Sequence, residues 1–495
     1  MAAAGEVAAA AGAVAGEASS AAVARDAPLP FADSREVLGA LWRLAGLTPA
    51  ALGPVSLSGE EPALPSSFRI GAAAQVTVAA VAAAAAAIHR RRGGPEQAAR
   101  VAMRHAALEF HSEHYLRLDG AEPPNPWDSI AGTYRCGDGR VVRLHTNFPH
   151  HRAGVLRLLR CEGTRPAVRA ALGGWAGLDF EDAAAAEGLC VTAMRSFAEW
   201  DAHGQGAATA TELPPLRIER IGDAPPTPLP PLAARPLEGL RVLDLTRVIA
   251  GPVCGRTLAA HGAEVLHISA AHLPSFDNLL VDTGRGKRCA RLDLRSAEGR
   301  DGLRSLAAGA DVFLQGYRPG AVARHGFSPA EVAALRPGIV CTSLSAYGEV
   351  GPWGGRRGFD SLVQTASGFN VAEAEAAGVA PPKPLPCQAL DHASGFLLAF
   401  GTLAALLRRA EEGGSWLVRV SLAGTGAWLR GLGRLREGFA VPAPRFADIG
   451  ELMEESDSGW GRLVALRHSG GLDETPPRWA LPSVPLGTHA PAWRT

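Results

Sequence analysis

The 495-residue sequence has no surplus of charge: Lys+Arg and Asp+Glu both number 49. That balance gives no reason to expect nucleic acid or an anionic membrane as partner. Its seven cysteines (Cys136, Cys161, Cys190, Cys254, Cys289, Cys341 and Cys387) include no C-x-x-C pair. An odd, scattered set reads as buried thiols in a reducing compartment, and a cytoplasmic protein is expected. The charged-then-apolar order of a secretory leader is missing. The first 28 residues are Ala-rich, with Glu6 and Glu17 against Arg25, and are expected to be disordered. The chain ends Ala492-Trp493-Arg494-Thr495, which is not a peroxisomal address. Ile70 to Ile88 is uncharged and about as long as a membrane span, but is nearly all alanine with Gln75 and Thr77 inside. It reads as a buried helix, and no membrane partner is expected. No G-x-G-x-x-G follows the strand at Leu240, and neither G-x-x-x-x-G-K-[ST] nor G-x-S-x-G occurs. These absences count against a nicotinamide enzyme, a P-loop NTPase and an α/β-hydrolase.

What is present divides at residues 223–236, where six prolines in fourteen residues predict an extended connector. Before it, residues 29–222 read as mostly helical, with helices expected from Ser34, over 70–88 and over Glu96–His114. Two strands are expected around the Asp138-Gly139 turn, and helices over Val155–Gly173, Asp179–Gly188 and Val191–Asp201. His111 and His114 stand one helical turn apart, a spacing that could suit a metal, but no third ligand stands out; His145, Asn147, His150 and His151 form a run that matches no zinc pattern and is read as possible pocket residues, so no metal is expected. After the connector the rhythm is strand–helix–strand. Strands are expected at Leu240–Leu245, Ala263–Ile268, Cys289–Leu294, Asp311–Leu314 and Gly338–Leu344, with helices at Gly251–His261, Glu298–Ala308 and Ser328–Leu335. That alternation predicts an α/β fold with a parallel sheet, which binds ligands at the carboxyl ends of its strands. Arg247, Arg285, Lys287, Arg288, Arg318 and Arg324 would make that edge basic and suited to phosphates.

The sequence is organised around Gln388-Ala389-Leu390-Asp391-His392-Ala393-Ser394-Gly395. Beyond it Phe396, Phe400, Leu403 and Leu407 share one helical face. Asp391 at the start of that helix is either a capping residue or a nucleophile whose intermediates would use nearby N–H groups.

Residues 236–425 resemble the class III CoA-transferases, the group that contains formyl-CoA and carnitine-type CoA-transferases and α-methylacyl-CoA racemase. The matching pieces are Pro236–Thr246 with Ala250-Gly251-Pro252; Gly286-Lys287-Arg288 with Leu292-Asp293-Leu294; Asp311-Val312 with Arg318-Pro319-Gly320; Tyr347–Pro352; Gly358-Phe359-Asp360 with Gln364; and Asp391 opening its helix. The first half is similar to the family's later portion, Trp127–Leu159 to its small domain and Glu199–Pro226 to the stretch that returns to the large one. The resemblance implies a Rossmann-like large domain at 237–430 with a smaller α+β domain. The chain would be an incomplete copy (29–222) fused to a catalytic copy, with 431–495 packing on the large domain. It also implies an interlocked homodimer, or a pseudo-dimer within one chain. Asp391 falls on the family's catalytic aspartate, and Val248, Ala250, Leu292, Tyr317, Arg318 and Arg324 on its CoA site. Coenzyme A would be a substrate, with no tightly bound cofactor, exchanged between an acyl-CoA and a carboxylic acid. Two alternatives stand beside transfer: an acyl-CoA racemase, and a non-catalytic CoA-binding protein. Against the racemase, Phe359 stands where family racemases place a histidine. Departures from the family pattern are Ser269-Ala270-Ala271, where a basic residue is frequent, and Gly316, where asparagine is.

Overall fold

The computed structural model describes residues 33–125 and 127–494, so the expected disorder of residues 1–28 lies outside the described residues. Strands β1 (Val55–Ser58), β2 (Ala99–Ala102), β3 (Arg117–Leu118), β4 (Gly132–Arg135), β5 (Val141–Leu144), β6 (Val191–Ala193) and β7 (Arg217–Gly222) precede the Pro-rich stretch. After it come β8 (Arg241–Leu245), β9 (Glu264–Ser269), β10 (Lys287–Arg291), β11 (Val312–Gln315), β12 (Val340–Ser345) and β13 (Ser415–Ser421). Strands β14 (Met453–Ser458), β15 (Gly461–Leu466) and β16 (Gly471–Leu472) lie in the tail.

The main sheet has the order β10-β9-β8-β11-β12-β13-β7. All its pairings are parallel except β13 with β7. Both faces are covered, which is why these strands are nearly continuous in apolar residues. Val242, Val312, Val340 and Val418 point into one core with the helices Ala250–Ala260 and Ala389–Glu412. Leu243, Phe313, Cys341 and Leu417 point into another, with Leu303, Leu306 and Val332. The chain passes from β8 to β9 and β10 on one side and to β11 and β12 on the other, so the strand order switches beside β8. The strand before the Pro-rich stretch, β7, forms an edge of this same sheet.

The alanine helix Ile70–Arg91 lies against Ala389–Glu412, and both are long and apolar enough to cross a membrane, yet their apolar stretches are buried inside the protein. Alanine favours the helix and leaves no side chain to hold the two apart. Gly395 serves the same end. A Cβ there would stand 2.6 Å from the Ala250 carbonyl oxygen and 2.8 Å from Val253 Cβ, so the site helix and Ala250–Ala260 meet backbone to backbone.

Three segments differ from the sequence expectation. Glu96–His114 is strand β2 followed by the short helix Met103–Glu109, because Ala99 to Ala102 alternate buried and exposed and pair with β1 and β16. The helix expected over Val155–Gly173 begins at Pro149, turns left-handed at Arg160 (φ 51°) and restarts behind the Thr164 cap as Arg165–Leu172. Val191–Asp201 is β6 and then Phe197–Ala202, opened by a Ser196/Glu199 capping box.

A buried charge network ties the halves together. Arg256 meets Glu109 from the first half at 3.3 Å and pairs with Asp282, while Glu109 also binds His468 (3.0 Å) and Ser469 of the tail. Phe110, next to Glu109, stacks on Phe396 of the site helix at 5.9 Å. The segment that follows, 111–117, is thereby held over the start of that helix.

Candidate active site

The site helix runs Ala389–Glu412, so Asp391 is its third residue and not its cap. The cap comes from another segment. The Asp360 carboxylate accepts the N–H groups of Leu390 (2.8 Å) and Asp391 (3.0 Å), and Gln364 donates to its other oxygen. Those two N–H groups are therefore taken by Asp360, a correction to the expectation that the helix start offers them to an oxyanion. Among the described residues no donor binds the Asp391 carboxyl itself. Burial, then the charge of Asp360, then that of Glu113 push its pKa well above the usual aspartate value. Burial raises Asp360 as well, to about 6, against the donors that it accepts. Two carboxyls in one dry site cannot both ionise freely.

Asp391 stands where two cavities meet. The first, of about 420 Å³, opens at the strand-order switch. Val248, Ala250, Tyr317, Arg318 and Arg324 line it together with Asp391. Leu292, expected with them, lies outside it, against the core cluster beneath β10. Arg247, Arg356 and Arg357 also line it. Arg356 is engaged, with Glu181 at 3.8 Å and the Trp353 ring at 4.1 Å. Among the described residues Arg247, Arg318, Arg324 and Arg357 have no carboxylate partner. Burial and then the charges of Arg357 and Arg324 lower the pKa of Arg318, so these cations lie close together. The expected basic edge is thus redrawn. Lys287 pairs with Asp244 (2.9 Å) inside the sheet, Arg285 with Asp282 (2.5 Å), and Arg288 lies beside Glu264 (3.6 Å). Gly316 leaves an open rim, and His272 lines the cavity just past Ser269-Ala270-Ala271.

Val248, on both cavities, has φ of 74°, a left-handed conformation costly for a β-branched residue, at about 1–3 kcal/mol. Strain at that point turns the chain sharply from β8 into the Ala250–Ala260 helix.

The second cavity, of about 1040 Å³, is walled largely by the first half and the tail, with Glu113, Tyr115, Trp127, His145 and Phe446 in its lining. Glu113 bonds His392 Nε2 at 3.0 Å. Burial opposes its ionisation, but His392 holds the carboxyl below its usual value. Phe359 borders both cavities, and His145 lies flat on its ring at 3.9 Å and 7°. Burial pushes His145 down to about 3, and His111, stacked on His114 at 4.6 Å, to about 4. His151 and Cys190, in the first cavity, lie 3.4 Å apart. Burial sends the imidazole down to about 3 and the thiol up to about 12, so the pair stays neutral and is no thiolate nucleophile. Among the described residues no three metal-ligating side chains cluster.

Of the histidine run expected only as possible pocket residues, His145 and Asn147 line the second cavity and His150 and His151 the first. Sequence reasoning missed Glu113, Arg356 and Arg357. The two arginines sit in a Gly-rich loop just before the Gly358-Phe359-Asp360 motif, a signal available in the sequence; Glu113 had none.

Comparison with known proteins places the sequence in a family. The model of CoA-transferase family III matches residues 45–202 and 237–433. A protein of Mycobacterium tuberculosis named "Probable fatty acyl-CoA transferase" is 34% identical over 202 residues, 38% of this chain and 51% of that protein. An acetyl-coenzyme A transferase of Hypoxylon pulicicidum is 36% identical over 211 residues, 42% of this chain and 35% of its own length. A formyl-CoA:oxalate CoA-transferase of Streptomyces coelicolor is 32% identical over 202 residues, 39% and 48% of the two chains. The chain thus spans about half or less of the length of these relatives. A crystal structure of the mycobacterial protein superimposes with a TM-score of 0.37 at 34% identity, over 40% of this chain and 56% of that one. The two stretches matched by the family model make up well over half of the sequence, and the second contains Asp391, Asp360 and the unpaired arginines: the chain belongs to CoA-transferase family III.

Proposed function

We propose that this protein moves CoA between an acyl-CoA and a carboxylic acid through covalent intermediates on Asp391. The observation that carries the reading is the position of Asp391 between an arginine-lined cavity and a larger, ring-lined one. Arg318, Arg324 and Arg357, which have no carboxylate partner among the described residues, suit the phosphates of CoA beside Arg247, which donates to the Pro274 carbonyl, and the thioester then reaches Asp391. An Asp391 oxygen attacks the thioester carbonyl, and the carbon–sulfur bond breaks to release CoA thiolate and leave an acyl–aspartyl anhydride. The thiolate attacks the aspartyl carbonyl, giving an aspartyl-CoA thioester and the free donor acid. An acceptor carboxylate attacks that thioester and the thiolate leaves again. Its attack on the acceptor's acyl carbon then frees Asp391. Burial beside Asp360 makes the Asp391 carboxylate, once ionised, more basic and a better nucleophile. Phe359 shields the anhydride and thioester from water, which would hydrolyse them.

The incomplete-plus-catalytic fusion is part of this proposal, as a pseudo-dimer in which the first half supplies the wall carrying Glu113. Support comes from the two separate stretches of family match. A cytoplasmic location is proposed from the seven cysteines, all free thiols.

The test is incubation with a panel of acyl-CoAs, followed by mass spectrometry of the Asp391 peptide and trapping with hydroxylamine. A hydroxamate or a CoA adduct at Asp391 is expected; an Asp391→Ala variant that still transfers CoA would overturn the assignment. One observation favours a second reading. His145 lies on Phe359, and so offers an imidazole near the place where family racemases carry one. Its lowered pKa opposes acid–base work near neutrality. No deuterium is expected at the α-position of a 2-methylacyl-CoA in heavy water; rapid exchange would promote the racemase.

A further inference from the structure

We infer that the second cavity receives the acyl group, and that this group is bulky, apolar and without a second negative charge. The inference rests on the CoA-transferase reading and adds its substrate class. Two features of the cavity carry it, charge and shape.

The two arginines on its wall are already engaged. Arg117 pairs with Glu122 at 2.8 Å and lies over the Phe446 ring at 4.1 Å, and Arg445 is held by Asp448 at 3.0 Å. Burial lowers the pKa of both His145 and His111, which favours their neutral forms. Glu113 is already taken by His392 at 3.0 Å, and the Asp391 and Asp360 carboxyls share the floor. A short dicarboxylic acyl group would bring its far carboxylate into a partly dehydrated space where both wall arginines are already paired and the Asp391 and Asp360 carboxyls form the floor. An apolar chain or ring system meets no such conflict.

Shape points the same way. At about 1040 Å³ the cavity is at the upper end of small-molecule sites, which run to about 1,000 Å³. Tyr115, Trp127, Phe276, Phe359 and Phe446 present five rings to it, surface that gains from apolar contact. A two- or four-carbon acyl group would leave most of that space to water. The first cavity differs in charge, with arginines that have no carboxylate partner among the described residues, so the two ends of an acyl-CoA are told apart by the protein.

The experiment is titration calorimetry on the full chain carrying Asp391→Asn, which binds without turnover. The ligands are CoA, acetyl-CoA, succinyl-CoA and dodecanoyl-CoA, the last below its micellar concentration. Dodecanoyl-CoA should bind at least about tenfold more tightly than acetyl-CoA, as buried methylenes accumulate. Succinyl-CoA should bind no more tightly than acetyl-CoA. Asn278→Trp, which projects a ring into the second cavity, should reduce the dodecanoyl-to-acetyl ratio severalfold. Equal affinities across the panel, or a preference for succinyl-CoA, would overturn the inference while leaving the transferase reading intact. Failure of CoA itself to bind would instead sink both. In the unmodified protein, the fraction of Asp391 acylated by each thioester should follow the same order.

Discussion

The cavities on either side of Asp391 contain similar residue types and differ in how those residues are engaged. Both hold arginines and aromatic rings. In the first, Arg247, Arg318, Arg324 and Arg357 have no carboxylate partner among the described residues; in the second, Arg117 and Arg445 each have one. A paired arginine presents little net charge to a ligand, whereas crowded unpaired ones create an anion site. The difference teaches that composition of a lining is a poor guide to what it binds, and that the pairing state decides.

Four measurements would break or sharpen that contrast. The largest effect belongs to the group shared by both sides. Asp391→Ala should lower transfer by about 10⁴-fold or more in a steady-state assay, because covalent chemistry loses its nucleophile. Next comes the free-arginine side. Arg318→Ala and Arg324→Ala should each weaken CoA binding by about tenfold, an effect that shrinks as salt is raised; calorimetry at two ionic strengths reads both.

Third, Asp391→Asn should stabilise the fold at pH 8 by about 1 kcal/mol, because it removes a buried like-charge neighbour of Asp360. The sign follows from linkage. Folding raises both carboxyl pKa values, so between the ordinary aspartate value near 3.8 and the folded values, about 6 for Asp360, the native state binds more protons than the unfolded one. Stability therefore falls as pH rises through that window. The variant lacks one of the two groups, so its advantage in melting temperature should shrink at pH 5. A variant less stable than the parent at pH 8 would show that Asp391 is not held in a repulsive pair. The smallest effect is on the paired side. Arg445→Ala should alter CoA affinity by less than about twofold and stability by less than about 1 kcal/mol, as expected for an exposed ion pair. An effect as large as that of Arg318→Ala would erase the distinction between the cavities.

Much of the second half was legible. β8, β9, β11 and β12 were readable because strands covered on both faces are apolar throughout, and their helices because capping and 3.6-residue periodicity act over a few positions. Asp391 was found from its helix start and the motifs around it. Of its two readings, the cap is excluded by the Asp360 carboxylate that occupies the N–H groups, and nothing near position 391 says so. In the first half, β2 and β6 were read as helix because each is a three- or four-residue strand flanked by helical sequence, and only pairing with other strands decides such cases.

What the sequence by itself determined is whatever depends on neighbours a few residues away: the βα alternation, the buried alanine helix, the left-to-right order of motifs and the placing of Asp391 at the front of an apolar helix. Tertiary structure decided which cations have a carboxylate partner, because Lys287 and Arg285 meet Asp244 and Asp282 only once the sheet has formed. It also decided the state of the Asp391 carboxyl. Glu113 meets His392 across 279 positions of chain, and its charge, with that of Asp360 and the burial that both share, raises the Asp391 pKa through space. A pKa is a property of surroundings, and these surroundings are assembled from segments whose proximity no local pattern records.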